Sequence, residues 1–256
     1  MKTKYNILFI LLTTVILWST GCNKMNRIEG NGQIITETRQ LVSFIKVEND
    51  GTFNVYISHD SVFTAKVEAE SNLIPHIRTR INGNTLEIDT RENLRNNYPI
   101  NVYVTTPIIS GASLNGSGSV TLDSLQTENM DVDLSGSGIM SGEITSAALT
   151  TRITGSGKIY LNAFTNSCNA RISGSGDIEL VGESLSGDFS ISGSGNIRST
   201  NFVQNECISK ISGSGNMYLN VTDYLDVTIS GSGSVYYVGN PQVNINITGS
   251  GSVIKQ

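Results

Sequence analysis

Apolar and polar positions alternate in strict columns through the second half of this chain. The phrase aliphatic, polar, Gly-Ser-Gly, any residue, aliphatic recurs eight times, beginning at Leu114, Leu134, Ile153, Ile172, Ile191, Ile211, Ile229 and Ile247, with successive starts 18 to 20 residues apart. Four positions after the first Gly stand Val120, Met140, Ile159, Ile178, Ile197, Met217, Val235 and Val253, again all apolar. Three positions before it stand Ser113, Asp133, Arg152, Arg171, Ser190, Lys210, Thr228 and Asn246, all polar. A period of two within each phrase predicts half-buried strands on both sides of a glycine corner. A period of about 19 between phrases predicts stacking of each coil on the next. Parallel strands at ~4.8 Å per coil give a rod of roughly 35–40 Å for eight coils. The expected fold is all-β, a single-stranded, right-handed parallel β-helix. A Gly/Ser linker is excluded, because linkers do not hold aliphatic columns in register.

The corners fall at Gly116 and Gly118, Gly136 and Gly138, Gly155 and Gly157, Gly174 and Gly176, Gly193 and Gly195, Gly213 and Gly215, Gly231 and Gly233, and Gly249 and Gly251. They are expected to hold backbone angles closed to other residues or to keep the corner tight, with the intervening Ser bonding to neighbouring coils. Cys168 and Cys207 each lie six residues before their glycine, in a column with Met130, Leu149, Gly187, Leu225 and Val243. That column points inward. Two coils separate the thiols, about 9–10 Å at the strand spacing, beyond the ~7 Å Cα limit of a disulfide. Both are expected to be free and buried.

The stretch 28–110 is also β-like but less regular. Ile28 to Ile34 reads as a divergent early coil with Asn in place of Ser. Asp50-Gly51 and Asn82-Gly83 read as hairpin turns, and Ser71 to His76 as one short helical turn. This part is expected to cap one end of the solenoid 111–256 and protect its edge. At the other end, Lys255 and Gln256 shield the last coil, or its edge pairs with a partner in self-association.

Residues 1–21 read as a lipoprotein signal peptide. Lys2 and Lys4 precede an apolar run from Ile7 to Trp18, too short to span a bilayer that needs ~20 residues. Ser19-Thr20-Gly21-Cys22 resembles a bacterial lipobox, which implies acylation of Cys22, a membrane-anchored rather than membrane-spanning protein, and a short tether over 22–27. The predicted location is the cell envelope, with the leaflet and facing undecided. The net charge of −5 leaves no basic footprint for a phosphate backbone, so nucleic acid is not an expected partner.

The chain from Arg27 to Val253 resembles the bacterial "putative auto-transporter adhesin, head GIN domain" family. The resemblance rests on the Ile28–Ile34 phrase, the Phe53-Asn-Val-Tyr-Ile57 strand, Asn72-Leu73-Ile74-Pro75 and the run of Gly-Ser-Gly coils. It implies an exported protein with a β-helix similar to that of pectin lyases, no catalytic residues, and adhesion as the role.

The residues offer little for catalysis. No Lys-Ser/Thr or helix follows the glycines, so they are not phosphate loops. The sole histidines, His59 and His76, lie outside the coils, which leaves no triad. Asp177 has no carboxylate ladder for calcium, and two His and two buried Cys make no zinc set. No metal and no cofactor is expected. Asp131, Asp133 and Arg152 are the nearest approach to a polysaccharide lyase or hydrolase site, and a solvated charge pair is the simpler reading. The candidate ligand-binding face, for a glycan or envelope protein, is the column five residues past the glycine, with Tyr218 and Tyr236 on consecutive coils and Tyr160 further along. Asp60-Ser61-Val62 and Asp123-Ser124-Leu125 resemble a bacterial O-glycosylation acceptor pattern, but three residues are a weak match and ordinary turn residues are the default reading. The function expected is non-catalytic binding by an envelope lipoprotein. A purely structural scaffold is the alternative, and a polysaccharide-degrading enzyme the more distant one.

Overall fold

The computed structural model describes residues 27–256. Five long strands dominate it, Ser119–Gly136, Ile139–Gly155, Lys158–Gly174, Asp177–Gly193 and Asn196–Gly213, each a nearly complete coil. Each pairs in parallel with the next over its length, and Asn216–Gly231 continues the ladder. The chain therefore forms the expected β-solenoid. In the Lys158–Gly174 coil the buried side chains are Ile159, Leu161, Ala163 and Thr165, then Cys168, Ala170 and Ile172. Alternation slips by one at Asn166–Ser167, both exposed, and this slip is the second corner of the coil.

The aliphatic column before the glycines, from Leu114 to Ile229, is at most 2% exposed, so each member gains most of the ~1.5–3 kcal/mol available to a buried aliphatic side chain. Ile247 alone is 37% exposed, because it belongs to the outermost tier and nothing packs above it. Cys168 and Cys207 are free and buried, separated in the column by Gly187 as the coil spacing requires.

Each glycine of a corner has a different reason. The first takes a positive φ, +121° to +139° at the eight corners, where a Cβ is strained. The second has ordinary angles, but from the second corner onward a Cβ on it would overlap the carbonyl oxygen of the equivalent glycine one coil below. The serine between them donates its backbone N–H to the coil below, as in Ser194 N to Gly174 O at 2.9 Å, and its side chain is exposed. The intercoil bond is thus a main-chain one, which explains the close approach.

The parallel ladder does not begin at Gly111. Lys46–Asn49 pairs in parallel with Gly111–Gly116, and Asn54–His59 with Ser119–Gly136, so residues 46–59 make a complete tier below the first Gly-Ser-Gly coil. Thr85–Thr90 and Asn101–Thr106 pair beneath these in turn. Asp50-Gly51 is therefore a solenoid corner and not a hairpin: Gly118 N donates to Gly51 O, and the flanking strands pair with neighbouring tiers instead of each other. Asn82-Gly83 does join an antiparallel hairpin, Ile77–Asn82 with Thr85–Thr90. The Ile28–Ile34 phrase is not a coil. Arg27–Glu29 pairs with Asn93–Arg95 in a separate two-stranded sheet, and Ile34–Gln40 runs antiparallel to Thr64–Glu70. The aliphatic spacing matched the repeat, but no tier lies beneath to receive it.

Thr64–Glu70 runs antiparallel to Asn101–Thr106, so the lowest tier is covered by antiparallel strands and by the single-turn helix Ile74–His76. Glu70 locks this end. Its buried carboxylate accepts from Gly32 N at 2.6 Å, Asn97 N at 2.8 Å and Asn97 Nδ2 at 2.9 Å. At the opposite end Gln242–Gly249 and Ser252–Lys255 form the outermost tier, with Ile245 and Ile254 exposed.

Candidate functional site

The column five residues past each corner runs the length of the molecule on one outward face. Pairing registers place Tyr103 beside Tyr56, Tyr56 beside Thr121, then Ser141, Tyr160, Glu179, Arg198, Tyr218, Tyr236 and Ile254 in order. A rigid parallel sheet fixes their spacing, and the side chains project because their neighbours in sequence, such as Ile159 and Leu161, fill the core.

Tyr218 and Tyr236 stack with ring centroids 5.0 Å apart and planes 8° from parallel, and both are half-buried. Tyr160 is more open, at 37% exposed, but stands alone, separated from the pair by Glu179 and Arg198. The three candidate residues are thus on one face without forming one cluster. Tyr224 instead sits on a corner column with Glu206 and Gln242, and Tyr237 packs on the core.

A second stacked pair lies at the other end of the column. Tyr56 and Tyr103 are 5.1 Å apart at 16°, and Lys66 Nζ sits 4.6 Å from the Tyr103 ring centroid. Burial, with the Glu68 and Tyr56 charges adding to it, raises the Tyr103 phenol above its usual range, so it remains protonated. The signal for this pair was in the sequence. Asn54-Val-Tyr-Ile57 and Asn101-Val-Tyr-Val104 are one phrase repeated, and Asn216-Met-Tyr-Leu219 is a third copy.

An amide ladder supports the column from two residues before it. Asn54 Nδ2 donates to Asn101 Oδ1 at 3.1 Å, and Ser119 Oγ to Asn54 Oδ1 at 2.9 Å. At the far end Asn196 Nδ2 donates to Asp177 Oδ1 at 2.9 Å and Asn216 Oδ1 accepts from Ser234 N at 3.0 Å. Burial opposes ionisation of Asp177, but the bonds from Asn196 and Arg198 outweigh it and hold the carboxyl below its usual range. Asp177 is thus a partner for the sheet's own donors.

Asp133 and Arg152 come together as an exposed charge pair, and Asp131 pairs elsewhere. Arg152 Nη1 meets Asp133 Oδ1 at 3.0 Å, and Lys46 Nζ meets Asp131 Oδ2 at 3.6 Å. Each carboxylate has its own cation, an arrangement that adds little to stability. Among the described residues no group of three His, Cys, Asp or Glu is placed to hold a metal ion. His59 lies at the end of Asn54–His59 and His76 at the end of Ile74–His76. Ser61 and Ser124 are both exposed, and Ser124 is the one described non-glycine residue with a positive φ. Cys22 and the expected signal peptide, residues 1–21, lie outside the described residues. No helix among the described residues is long and apolar enough to cross a membrane.

Solved structures similar to this chain share its whole architecture. A protein of Parabacteroides distasonis ATCC 8503, described as a "putative lipid binding protein", is 25% identical with a TM-score of 0.84, over 90% of this chain and 99% of its own. A "putative adhesin" of the same organism is 21% identical with a TM-score of 0.86, over 90% and 100%. Another from Parabacteroides merdae ATCC 43184 is 21% identical with a TM-score of 0.85, over 90% and 99%. No curated protein matches the chain. The model of the family described as "Putative auto-transporter adhesin, head GIN domain" matches residues 43–241, a span that takes in the tiers below the first Gly-Ser-Gly coil as well as the coils themselves, and the chain belongs to that family.

Proposed function

We propose that this protein is a lipid-anchored envelope protein, acylated at Cys22, that binds a glycan or envelope protein through its tyrosine column without turning it over. The observation that carries the reading is the column itself. Five tyrosines stand on one rigid outward face, four of them in two stacked pairs near its two ends. Exposed aromatics on a flat sheet offer large contact area at small entropic cost. The family's description as an adhesin and the adhesin-described structures support binding over chemistry. The lipobox-like Ser19-Thr20-Gly21-Cys22 supports the anchor.

A glycan array probed with wild type and with Tyr218→Ala/Tyr236→Ala tests the binding. Wild-type signal lost in the variant is expected. Identical array profiles, or no wild-type signal, would leave the column as a stacking device and favour a purely structural scaffold. For location, metabolic acyl labelling should mark wild type and spare Cys22→Ala, and protease added to intact cells should cleave a surface-facing protein.

A further inference from the structure

We propose that a second outward face, around Arg171 and Lys210, is a docking groove for a linear acidic polysaccharide. It is separate from the tyrosine column and does not depend on that reading. The face belongs to the strand segment entering each glycine corner, where outward side chains stand three and one residues before the glycine. Arg152, Arg171, Ser190 and Lys210 occupy the first column on consecutive coils. The second is a row of hydroxyls from Thr154 to Ser230. Together they line an open groove of about 500 Å³ along the axis.

The cations are not equivalent. Arg152 is committed to Asp133 at 3.0 Å. Arg171 spends only Nε, which donates to Asn169 Oδ1 at 2.9 Å, leaving both terminal nitrogens without a partner among the described residues. That bond holds the guanidinium on the Asn169 side of its column. Lys210 Nζ has no hydrogen-bond or ion-pair partner among the described residues. In a chain of net charge −5, two uncommitted cations on one face are a distinct feature.

Ser190 lies between them, paired to Arg171 on one side and Lys210 on the other. The two cations are thus two coils apart, about 9–10 Å at the strand spacing, with a short side chain as the floor between. That bay admits a carboxylate. Arg171 can take it bidentately and Lys210 as a point charge. The hydroxyls of Ser173, Ser192 and Ser212 are exposed beside it, and a hydroxyl both donates and accepts, as sugar hydroxyls require.

The repeat selects a polymer along the axis, since each coil presents the same hydroxyl row and one sugar unit advances about as far as one coil. Two carboxylates on the same face would repel an acidic polymer and restrict it to the hydroxyl side. Asp188 and Asp226 stand in the column five residues before the glycine, away from the hydroxyls, and Asp226 already accepts from Asn244 Nδ2 at 3.2 Å. Two free cations are too few to track a nucleic-acid backbone, whose binding rests on many phosphate contacts.

The test is calorimetric titration of the protein with polygalacturonate, with its carboxyl-reduced neutral form, with inorganic phosphate and with anionic phosphatidylglycerol vesicles. Wild type should bind polygalacturonate, lose affinity as salt rises, and ignore the neutral polymer. Arg171→Gln/Lys210→Gln should weaken binding by about tenfold or more while its melting curve stays at the wild-type position. Arg91→Gln, which removes an exposed cation at the capped end and touches neither outward face, should bind polygalacturonate as wild type does. Equal binding of the neutral polymer, an unaffected Arg171/Lys210 variant, no wild-type binding, or binding of vesicles or phosphate in place of the polymer would each overturn the proposal.

Discussion

A Cβ placed on Gly193 would overlap the carbonyl oxygen of Gly174 in the coil below, and Gly193 itself holds φ +130°. Its corner partner Gly195 has ordinary backbone angles yet meets the same obstacle at Gly176, with Ile172 Cγ2 only 2.8 Å from the would-be Cβ. Gly193→Ala and Gly195→Ala should each lower stability by about 2–4 kcal/mol, the first through strain and overlap and the second through overlap alone. Ser194→Ala, at the exposed position between them, should change it by less than about 0.5 kcal/mol. Denaturant melts of the three variants decide the matter. Equal losses at all three would mean the corner is governed by something other than close approach.

Stacked tyrosines should be coupled. The Tyr56→Ala/Tyr103→Ala double-mutant cycle is expected to return an interaction energy of about 0.5–1.5 kcal/mol, and the Tyr218/Tyr236 cycle a similar value. A Tyr160/Tyr218 cycle should return nothing, because two coils intervene. Additivity in the first two would contradict the stacking.

The contrast between these pairs shows where the sequence was legible. Tyr218 and Tyr236 sit in coils of 18 to 20 residues punctuated by Gly-Ser-Gly, so column alignment alone puts them side by side. Tyr56 and Tyr103 belong to the same column, but their tiers are assembled from strands separated by the antiparallel Thr64–Glu70 and Ile77–Asn82. Capping strands inserted into the chain erase the period, although the local Asn-Val-Tyr phrase survives. Asp50-Gly51 misled for a related reason. A tight turn chemistry is shared by hairpins and solenoid corners, and only the partners of the flanking strands distinguish them. The Arg171–Lys210 groove was visible as a polar column, yet which cations are already paired depends on Asp133 and Asn169, and that is a matter of side-chain geometry.

The two thiols should resist labelling in the native protein. Burial pushes Cys168 up to about 12 from an ordinary 9.0, and Cys207 is raised further by burial and by its neighbour. The native state keeps its proton where the unfolded chain releases it. Stability is therefore unaffected below pH 9.0 and falls as pH rises from there toward 12, by about 1.4 kcal/mol per pH unit for each thiol. Cys168→Ala should flatten that alkaline slope relative to wild type. A thiol reagent that reacts fully before unfolding would refute the burial.

Acid should loosen the capped end first. Side-chain and backbone donors from Asn97, with Gly32 and Tyr98, hold the Glu70 carboxyl below its usual 4.5 against the opposing effect of burial. A depressed value stabilises the fold above pH 4.5 and stops doing so as pH falls through the native one. Hydrogen exchange over 27–40 and 93–98 should accelerate in that acid range while the coils stay protected. Glu70→Gln should show the accelerated exchange already at neutral pH. Uniform loosening of the whole rod would argue against a local lock.

One buried residue works against the fold's stability. Gln204 is fully buried, and neither its amide nitrogen nor its amide oxygen has a partner among the described residues. Its side chain fills the space left by Gly187. Gln204→Leu keeps most of that volume and removes the unpaired groups, so it should raise stability by about 1–3 kcal/mol. A lower melting temperature in this variant would show that the amide is satisfied after all.

The coils Lys158–Gly174 and Asp177–Gly193 stack with no register shift from Lys158↔Asp177 to Gly174↔Gly193. Each side chain thus meets its counterpart exactly 19 positions on, and a tandem duplication of 19 residues at this point would add a tier without disturbing any other. Deletion of 19 would remove one as cleanly. Length in this molecule is an inheritable quantity that changes in whole steps of one strand spacing, and a lineage could lengthen or shorten the rod by recombination alone, leaving the faces of the remaining tiers as they were.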